Sequence, residues 1–342
     1  MIPLLELRNV SKIYGGGVFR RGDVTVALDR LSFTVPDGRP TITAIAGESG
    51  SGKTTLAMML LGFSPPSDGQ VFYRGKDLAT MSRTERLQFR REVQPVFQDP
   101  YEAFNPFYRV DHVLMAPIRQ FNLAPSEGQA QRLIEESLEM VGLRPKETLG
   151  RFPHQLSGGQ RQRLMVARAV LCRPRIIIAD EPVSMVDASL RATILASLQA
   201  LNRSLGISIL YITHDLTTAY QISENIIVLY RGSVAEAGSV EQVIRQPKHP
   251  YTQLLVSSIP LPDRERRWGV DGAVDLENAS VRQGVGCKFA SRCPMVMEVC
   301  LREPPPLYVP DPHRAASCFL YRDSPILESP DVASVFAEEV TA

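Results

Sequence analysis

Gly47-Glu48-Ser49-Gly50-Ser51-Gly52-Lys53-Thr54-Thr55 fits the pattern G-x-x-x-x-G-K-[ST], between a run that reads as a buried strand (41–46) and one that reads as a helix (53–61). Glycines at these points let backbone N–H groups turn inward around a phosphate at a helix N-terminus. Lys53 adds a positive charge, and the Thr54 hydroxyl suits Mg²⁺. Gly47, Ser49, Gly50, Ser51, Gly52, Lys53, Thr54 and Thr55 are therefore candidates to bind a nucleotide such as ATP. Asp180-Glu181 closes a continuous apolar run, and carboxylates at the C-terminal edge of a strand face such a loop. Asp180 is the candidate Mg²⁺ ligand. Glu181 is the candidate that orients or deprotonates an attacking water, a role whose removal costs about 10² to 10⁴ in rate.

Leu156-Ser157-Gly158-Gly159-Gln160 precedes a helix beginning near residue 161, so a serine and two glycine amides stand at a positive helix end. One nucleotide rarely needs two helix N-termini from one chain, which points this second surface toward a nucleotide held by another subunit; the alternative is an ordinary capped helix. Cys287, Cys293, Cys300 and Cys318 are spaced more widely than the paired cysteines of common zinc modules. From spacing, free thiols or a zinc site lead, yet four thiolates in one loop-rich segment, with Pro294 beside the second, also suit an iron–sulfur cluster. Cys172, beside an apolar helix, reads as a core thiol.

These groups need a scaffold, and the hydrophobic pattern predicts one. Residues 4–10, 26–35 and 71–73 read as strands, the last in a hairpin flanked by Gly69 and Gly75. Residues 100–170 turn helical, notably over 129–141 and 161–171, and read as a helical insert. The runs 175–180 and 207–213 look like central parallel strands covered on both faces, with 188–202 as the crossover helix between them. The predicted fold class is α/β: a mixed-sheet core with an antiparallel β subdomain and a helical subdomain. Beyond residue 258 prolines interrupt any long element, so the division expected is 1–257 and 258–342. The 342 residues carry 38 Lys plus Arg against 37 Asp plus Glu, and this balance gives no global electrostatic reason to expect nucleic-acid binding. No apolar run reaches the roughly 18 to 20 residues that span a bilayer, and the start lacks a basic n-region, so a cytosolic chain is expected.

The phosphate loop, Gln98 in Val96-Phe97-Gln98-Asp99-Pro100, the run Leu156-Ser157-Gly158-Gly159-Gln160, Asp180-Glu181-Pro182, Asp187 and Thr213-His214-Asp215 occur in the order seen in ABC-type ATPases. The resemblance covers about residues 4–256. It implies an ABC-type P-loop ATPase fold and a head-to-tail dimer in which Ser157 and Gly159 contact the γ-phosphate of the partner's ATP. It also implies that His214 contacts the γ-phosphate, that Gln98 senses Mg²⁺ and water, and that Asp187 lies at the dimer seam. Tyr14 resembles the aromatic residue that stacks on adenine, with Phe19 as competitor because an insertion opens at Gly15. Ser184-Met185-Val186-Asp187 departs from the commoner Ser-Ala-Leu-Asp by apolar changes that imply only repacking.

His249-Pro250-Tyr251-Thr252-Gln253-Leu254-Leu255 is similar to a hallmark of the oligopeptide and dipeptide branch of ABC importers; oligosaccharides, opines or nickel are carried by some of its members. The run 96–106, Glu181-Pro182-Val183-Ser184 and the insertion after Tyr14 resemble the second of the two ATPase subunits of such importers. This implies a heterodimer with a paralogous ATPase, two integral-membrane permease subunits and, through them, an extracytoplasmic solute-binding protein. The expected place is the cytoplasmic face of the inner membrane, with Gln98 and residues 101–108 lining the groove for the permeases. The resemblance implies a [4Fe-4S] cluster, in a structural role, on the four C-terminal cysteines. The rival reading is a soluble ABC ATPase of DNA repair or translation, which would carry a long coiled-coil insert or two ATPase domains, neither visible here.

Overall fold

Ile176–Asp180 (β7) carries no polar alternation because both its faces are covered. The computed structural model describes residues 2–15, 24–99, 104–259 and 285–336. In it, Ile176 and Ile178 join the cluster of Leu56, Met59 and Leu60 from helix α1 (Lys53–Leu60), while Ile177 and Ala179 join that of Leu164 and Val166 from helix α6 (Gly158–Leu171). Burying one such isoleucine side chain contributes about 1.5–3 kcal/mol.

β7 belongs to an eight-stranded sheet of order β11-β12-β10-β9-β3-β8-β7-β6. Its strands are β3 (Ile42–Ala46), β6 (Val93–Val96), β8 (Ser208–Thr213), β9 (Asn225–Tyr230), β10 (Ser233–Ser239), β11 (Tyr308–Asp311) and β12 (Arg314–Ala316). From β6 to β9 neighbouring strands run parallel, so the chain crosses back through α7 (Ala188–Leu205) and α8 (Leu216–Ile222). A second, antiparallel sheet has the order β2-β1-β4-β5, from β1 (Leu5–Tyr14), β2 (Thr25–Val35), β4 (Asp68–Tyr73) and β5 (Lys76–Asp77). Helix α1 lies between the two sheets, its apolar side chains sharing one cluster with Leu7 and Phe33 on one side and Ile45 and Ile212 on the other. The helical insert is α3 (Val110–Phe121), α4 (Glu127–Met140), the single turn α5 (Pro145–Thr148) and α6.

Two elements escape the hydrophobic pattern. Helix α2 (Arg83–Glu92) buries only Phe89, so it shows no apolar period, and it is fixed instead by a capping box between Ser82 and Glu85. Strand β6 contains Pro95, which a strand tolerates only at a sheet edge, and β6 is that edge. Helix α6 begins at Gly158, three residues before the predicted start, because Ser157 caps it.

The proline-rich C-terminal segment contributes strands to the core sheet: β12 pairs antiparallel with β10 through Glu236↔Ala316, Ala237↔Ala315 and Gly238↔Arg314. A Cβ at Gly238 would stand 2.6 Å from the His313 carbonyl, so only glycine admits this approach. The remaining helices are α9 (Val240–Arg245) and α10 (Pro250–Ser257).

Candidate active site

The phosphate loop joins the end of β3 to the start of α1 and needs its glycines for space. Gly47 has φ +152°, and a Cβ there would lie 2.3 Å from the Leu229 carbonyl; Gly52 has φ +104°, with the Ala27 carbonyl equally close. Lys53, Thr54 and Thr55 form the first helical turn, whose N–H groups have no carbonyl within the helix to receive them. The Lys53 ammonium is buried and donates to the carbonyls of Gly47 (2.7 Å) and Glu48 (2.8 Å) and to Ser51 Oγ (3.4 Å). Burial pulls its pKa below the ordinary lysine value, against the opposing charges of Glu181, Asp180 and Glu48. Ser49, Gly50 and Thr54 are exposed at the mouth, and Gly232 closes the far side by donating its N–H to the Ser51 carbonyl (2.9 Å).

At the end of β7, burial pushes the Asp180 carboxyl above its usual range, while a hydrogen bond with Thr54 and the charge of Lys53 act the other way. Glu181 turns out of the strand at φ +44°, a left-handed conformation that costs a non-glycine residue about 1–3 kcal/mol, and its N–H is tied to the Ile212 carbonyl (2.9 Å). Its carboxylate, half-buried, is held from both sides. Gln98 Nε2 donates to Oε2 (3.0 Å), and His214 Nδ1 lies 2.7 Å from Oε1. Gln98 comes from beyond β6 and His214 from the end of β8, so three strand ends deliver the three groups to one point.

The second glycine-containing motif is locally complete. Ser157 Oγ accepts from the Gln160 N–H (3.2 Å) and Gln160 Oε1 from the Ser157 N–H (2.9 Å), while a Cβ on Gly159 would meet the Leu190 side chain at 2.5 Å. Gly158 opens helix α6. Asp187 caps α7, accepting from Ser189 Oγ (2.8 Å) and the Leu190 N–H (3.1 Å), and these bonds, the hydroxyl first, lower its pKa. Tyr14 ends β1 about half exposed, with Lys12 Nζ 5.4 Å from its ring centroid. Phe19 lies outside the described residues, as do residues 101–103; of the predicted groove, Phe104 is buried in the core and Phe107 is exposed.

Residues 28–184 match the family model described as ABC transporter, and residues 235–300 match the oligopeptide/dipeptide transporter C-terminal region. The putative oligopeptide transport ATP-binding protein YkfD of Bacillus subtilis is 37% identical over 326 residues, 94% of this chain and 97% of that protein. The oligopeptide transport ATP-binding protein AppF of the same organism is 35% identical over 331 residues, 93% and 97% of the two chains. The chain belongs to the ATP-binding proteins of the oligopeptide/dipeptide ABC transporter family. Its cassette is similar to that of MJ0796, solved as a dimer in a post-hydrolysis state bound to ADP and Pi, with TM-score 0.61 and 29% identity over 69% of this chain and 98% of that one. The protein is an ABC ATPase that hydrolyses ATP to drive transport.

In this ABC ATPase the His249-Pro250-Tyr251 segment does structural work that the sequence alone leaves unread. Tyr251, fully buried, accepts the Glu48 N–H through its hydroxyl (2.8 Å) and so holds the phosphate loop. Burial drives the His249 imidazole down to about 4, so it is neutral, and its Nδ1 accepts the Tyr251 N–H (3.0 Å) at the start of α10. Glu236, wholly buried, accepts the N–H groups of Lys248 and His249.

The four C-terminal cysteines come near one another: Cys287 and Cys293 pack against the cluster of Phe289, Cys300 belongs to that of Tyr308, and Cys318 stands close enough to feel the charges of the other three. The Cys287 N–H donates to the Cys300 carbonyl (2.8 Å). The Cys318 thiol is pushed up to about 11, by burial first and then by its three cysteine neighbours. Among the described residues no three His, Cys, Asp or Glu side chains are grouped closely enough to hold a metal ion. Cys172 is buried, as its setting predicts, and its thiol is likewise raised, to about 11.

Proposed function

We propose that this chain is one of two ATPase subunits powering an importer of oligopeptides or similarly sized solutes, and that Glu181 is the residue that activates water in ATP hydrolysis. The observation that carries the chemistry is the meeting of Gln98, Glu181 and His214 at the mouth of the phosphate loop. The match of residues 235–300 and the names of the relatives support the solute class and speak against a role in DNA repair or translation.

In this reading the loop from Gly47 to Thr55 wraps the phosphates and Tyr14 stacks on adenine. Mg²⁺ neutralises charge on the terminal phosphates when bound. Asp180, Thr54 and Gln98 are the residues to hold it, and a partly buried carboxylate hydrogen-bonded by a hydroxyl suits a hard cation that prefers oxygen. Glu181 takes the proton of the attacking water, Gln98 orients that water, and His214 contacts the γ-phosphate. Ser157, Gly158, Gly159 and Gln160 serve the nucleotide of a paralogous ATPase, with Asp187 at the seam. Closure and reopening of this heterodimer at the cytoplasmic face of the membrane move two permease subunits, which receive solute from an extracytoplasmic binding protein. Glu181→Gln leaves ATP binding intact and lowers turnover about 10²- to 10⁴-fold in the assembled complex. Near-normal hydrolysis by that variant would remove Glu181 from the role.

Cys287, Cys293, Cys300 and Cys318 are proposed to hold a [4Fe-4S] cluster. The support is the gathering of four cysteines from one C-terminal segment, with burial raising the thiols of Cys287, Cys293 and Cys318 so that each of these is disfavoured as a thiolate unless iron compensates the charge. Iron and acid-labile sulfide per chain after anaerobic purification test it.

A further inference from the structure

Glu48 stands second in the phosphate loop and is fixed from three directions. Its N–H is held by Tyr251, its carbonyl accepts from Lys53 Nζ and the Ser51 N–H, and its carboxylate receives both arms of Arg292, Nη1 to Oε2 and Nη2 to Oε1, each at 2.9 Å. Arg292 lies 244 residues away in sequence, directly before Cys293, at the end of the short turn Ala290–Arg292. Its guanidinium rests against the rings of Tyr230 (5.9 Å) and Phe289 (5.7 Å), which belong with Tyr251 to one aromatic cluster. A paired fork of this kind fixes orientation as well as charge.

The same cysteine-bearing loop has a second tie. Lys288 Nζ bonds Asp29 Oδ2 (3.0 Å), the Arg231 carbonyl (3.0 Å) and Ser233 Oγ (2.6 Å), beside the Gly232 N–H that holds the Ser51 carbonyl. Both ends of the phosphate loop are thus braced by the segment that carries Cys287 and Cys293.

We propose that Arg292 is a positioning residue of the phosphate loop, through which the cysteine-bearing C-terminal loop and the ATP site are energetically coupled. The coupling rests on the ATPase reading and extends it: order in the C-terminal loop raises nucleotide affinity, and nucleotide in turn stabilises that loop, because such coupling is reciprocal.

The test is a double-mutant cycle on the full chain, with Kd for MgATP measured at equilibrium for the wild type, Arg292→Ala, Glu48→Gln and the double variant. Arg292→Ala weakens binding about five-fold, the low end of coupling between sites. The double variant is no weaker than the worse single one, and Arg292→Lys, which keeps the charge but loses the fork, falls between. In parallel, MgATP slows amide hydrogen exchange in residues 285–301 of the wild type and does so less in Arg292→Lys, a readout that remains if Arg292→Ala does not fold. An unchanged Kd in Arg292→Ala, additive losses in the double variant, or exchange that ignores MgATP in the wild type would each overturn the coupling. A wild-type chain that fails to bind MgATP at all would instead overturn the ATPase reading.

Discussion

A glutamate at φ +44° is held there against its own preference, and Glu181 is so held by the Ile212 carbonyl behind it and by Gln98 and His214 around its carboxylate. The sequence presents Glu181 as the second acid of a pair; the bond to His214 spans 33 residues and that to Gln98 spans 83, so neither is visible without the fold. His249 carries a pH dependence whose sign follows from its burial. Unfolded, the imidazole titrates near 6.5; folded, near 4, so the folded state binds the proton less well. Its stabilising contribution is complete above about pH 6.5 and is lost as pH falls towards about 4, amounting to about 3 kcal/mol at about 1.4 kcal/mol per pH unit. An asparagine can accept the Tyr251 N–H without titrating. His249→Asn is therefore expected to lose less melting temperature than the wild type between pH 7.5 and 5; equal losses in thermal melts would remove His249 as the source.

Elements whose burial follows a period are legible in the chain, and those held by polar contacts are not. The runs that become β3, β7 and β8 stand out because every residue but the last of β7 is buried, whereas α2, with one buried residue, gives no period to read. The C-terminal extension shows the same limit. Its prolines foretell short elements, but nothing in them states that β12 will dock on β10 and carry the cysteines to the back of the phosphate loop. Cys293, Cys300 and Cys318 lie in or beside short single turns and Cys287 is tied through its N–H to the Cys300 carbonyl, so the set is ordered by contacts distant in sequence. About four irons and four sulfides per chain are the expected yield of anaerobic purification. A chain equally folded, by melting temperature and nucleotide affinity, but free of iron would end the cluster proposal.

At the scale of the whole molecule, two glycine-containing surfaces at helix N-termini belong to one chain, and at the second Ser157 and Gln160 cap each other. Among the described residues no helix is long and apolar enough to cross a membrane. Ser157→Arg is expected to stop hydrolysis in the complex of two ATPase subunits while leaving the isolated chain's affinity for MgATP within about two-fold, at a cost of about 1 kcal/mol from the lost cap. Steady-state hydrolysis and equilibrium binding separate the two effects; full turnover by that variant would show that the surface serves no partner nucleotide. The phosphate loop, the acidic strand end and the apolar central strands were determined by the sequence itself, because backbone geometry and burial on both faces leave their mark on adjacent residues. The tertiary structure alone decided what converges: the partners of Glu181, the clasp of Tyr251 and Arg292 on Glu48, and the meeting of four cysteines. Side-chain bonds between residues brought together by a crossover or a sheet edge depend on the path of the chain, and no local pattern of residue types records that path.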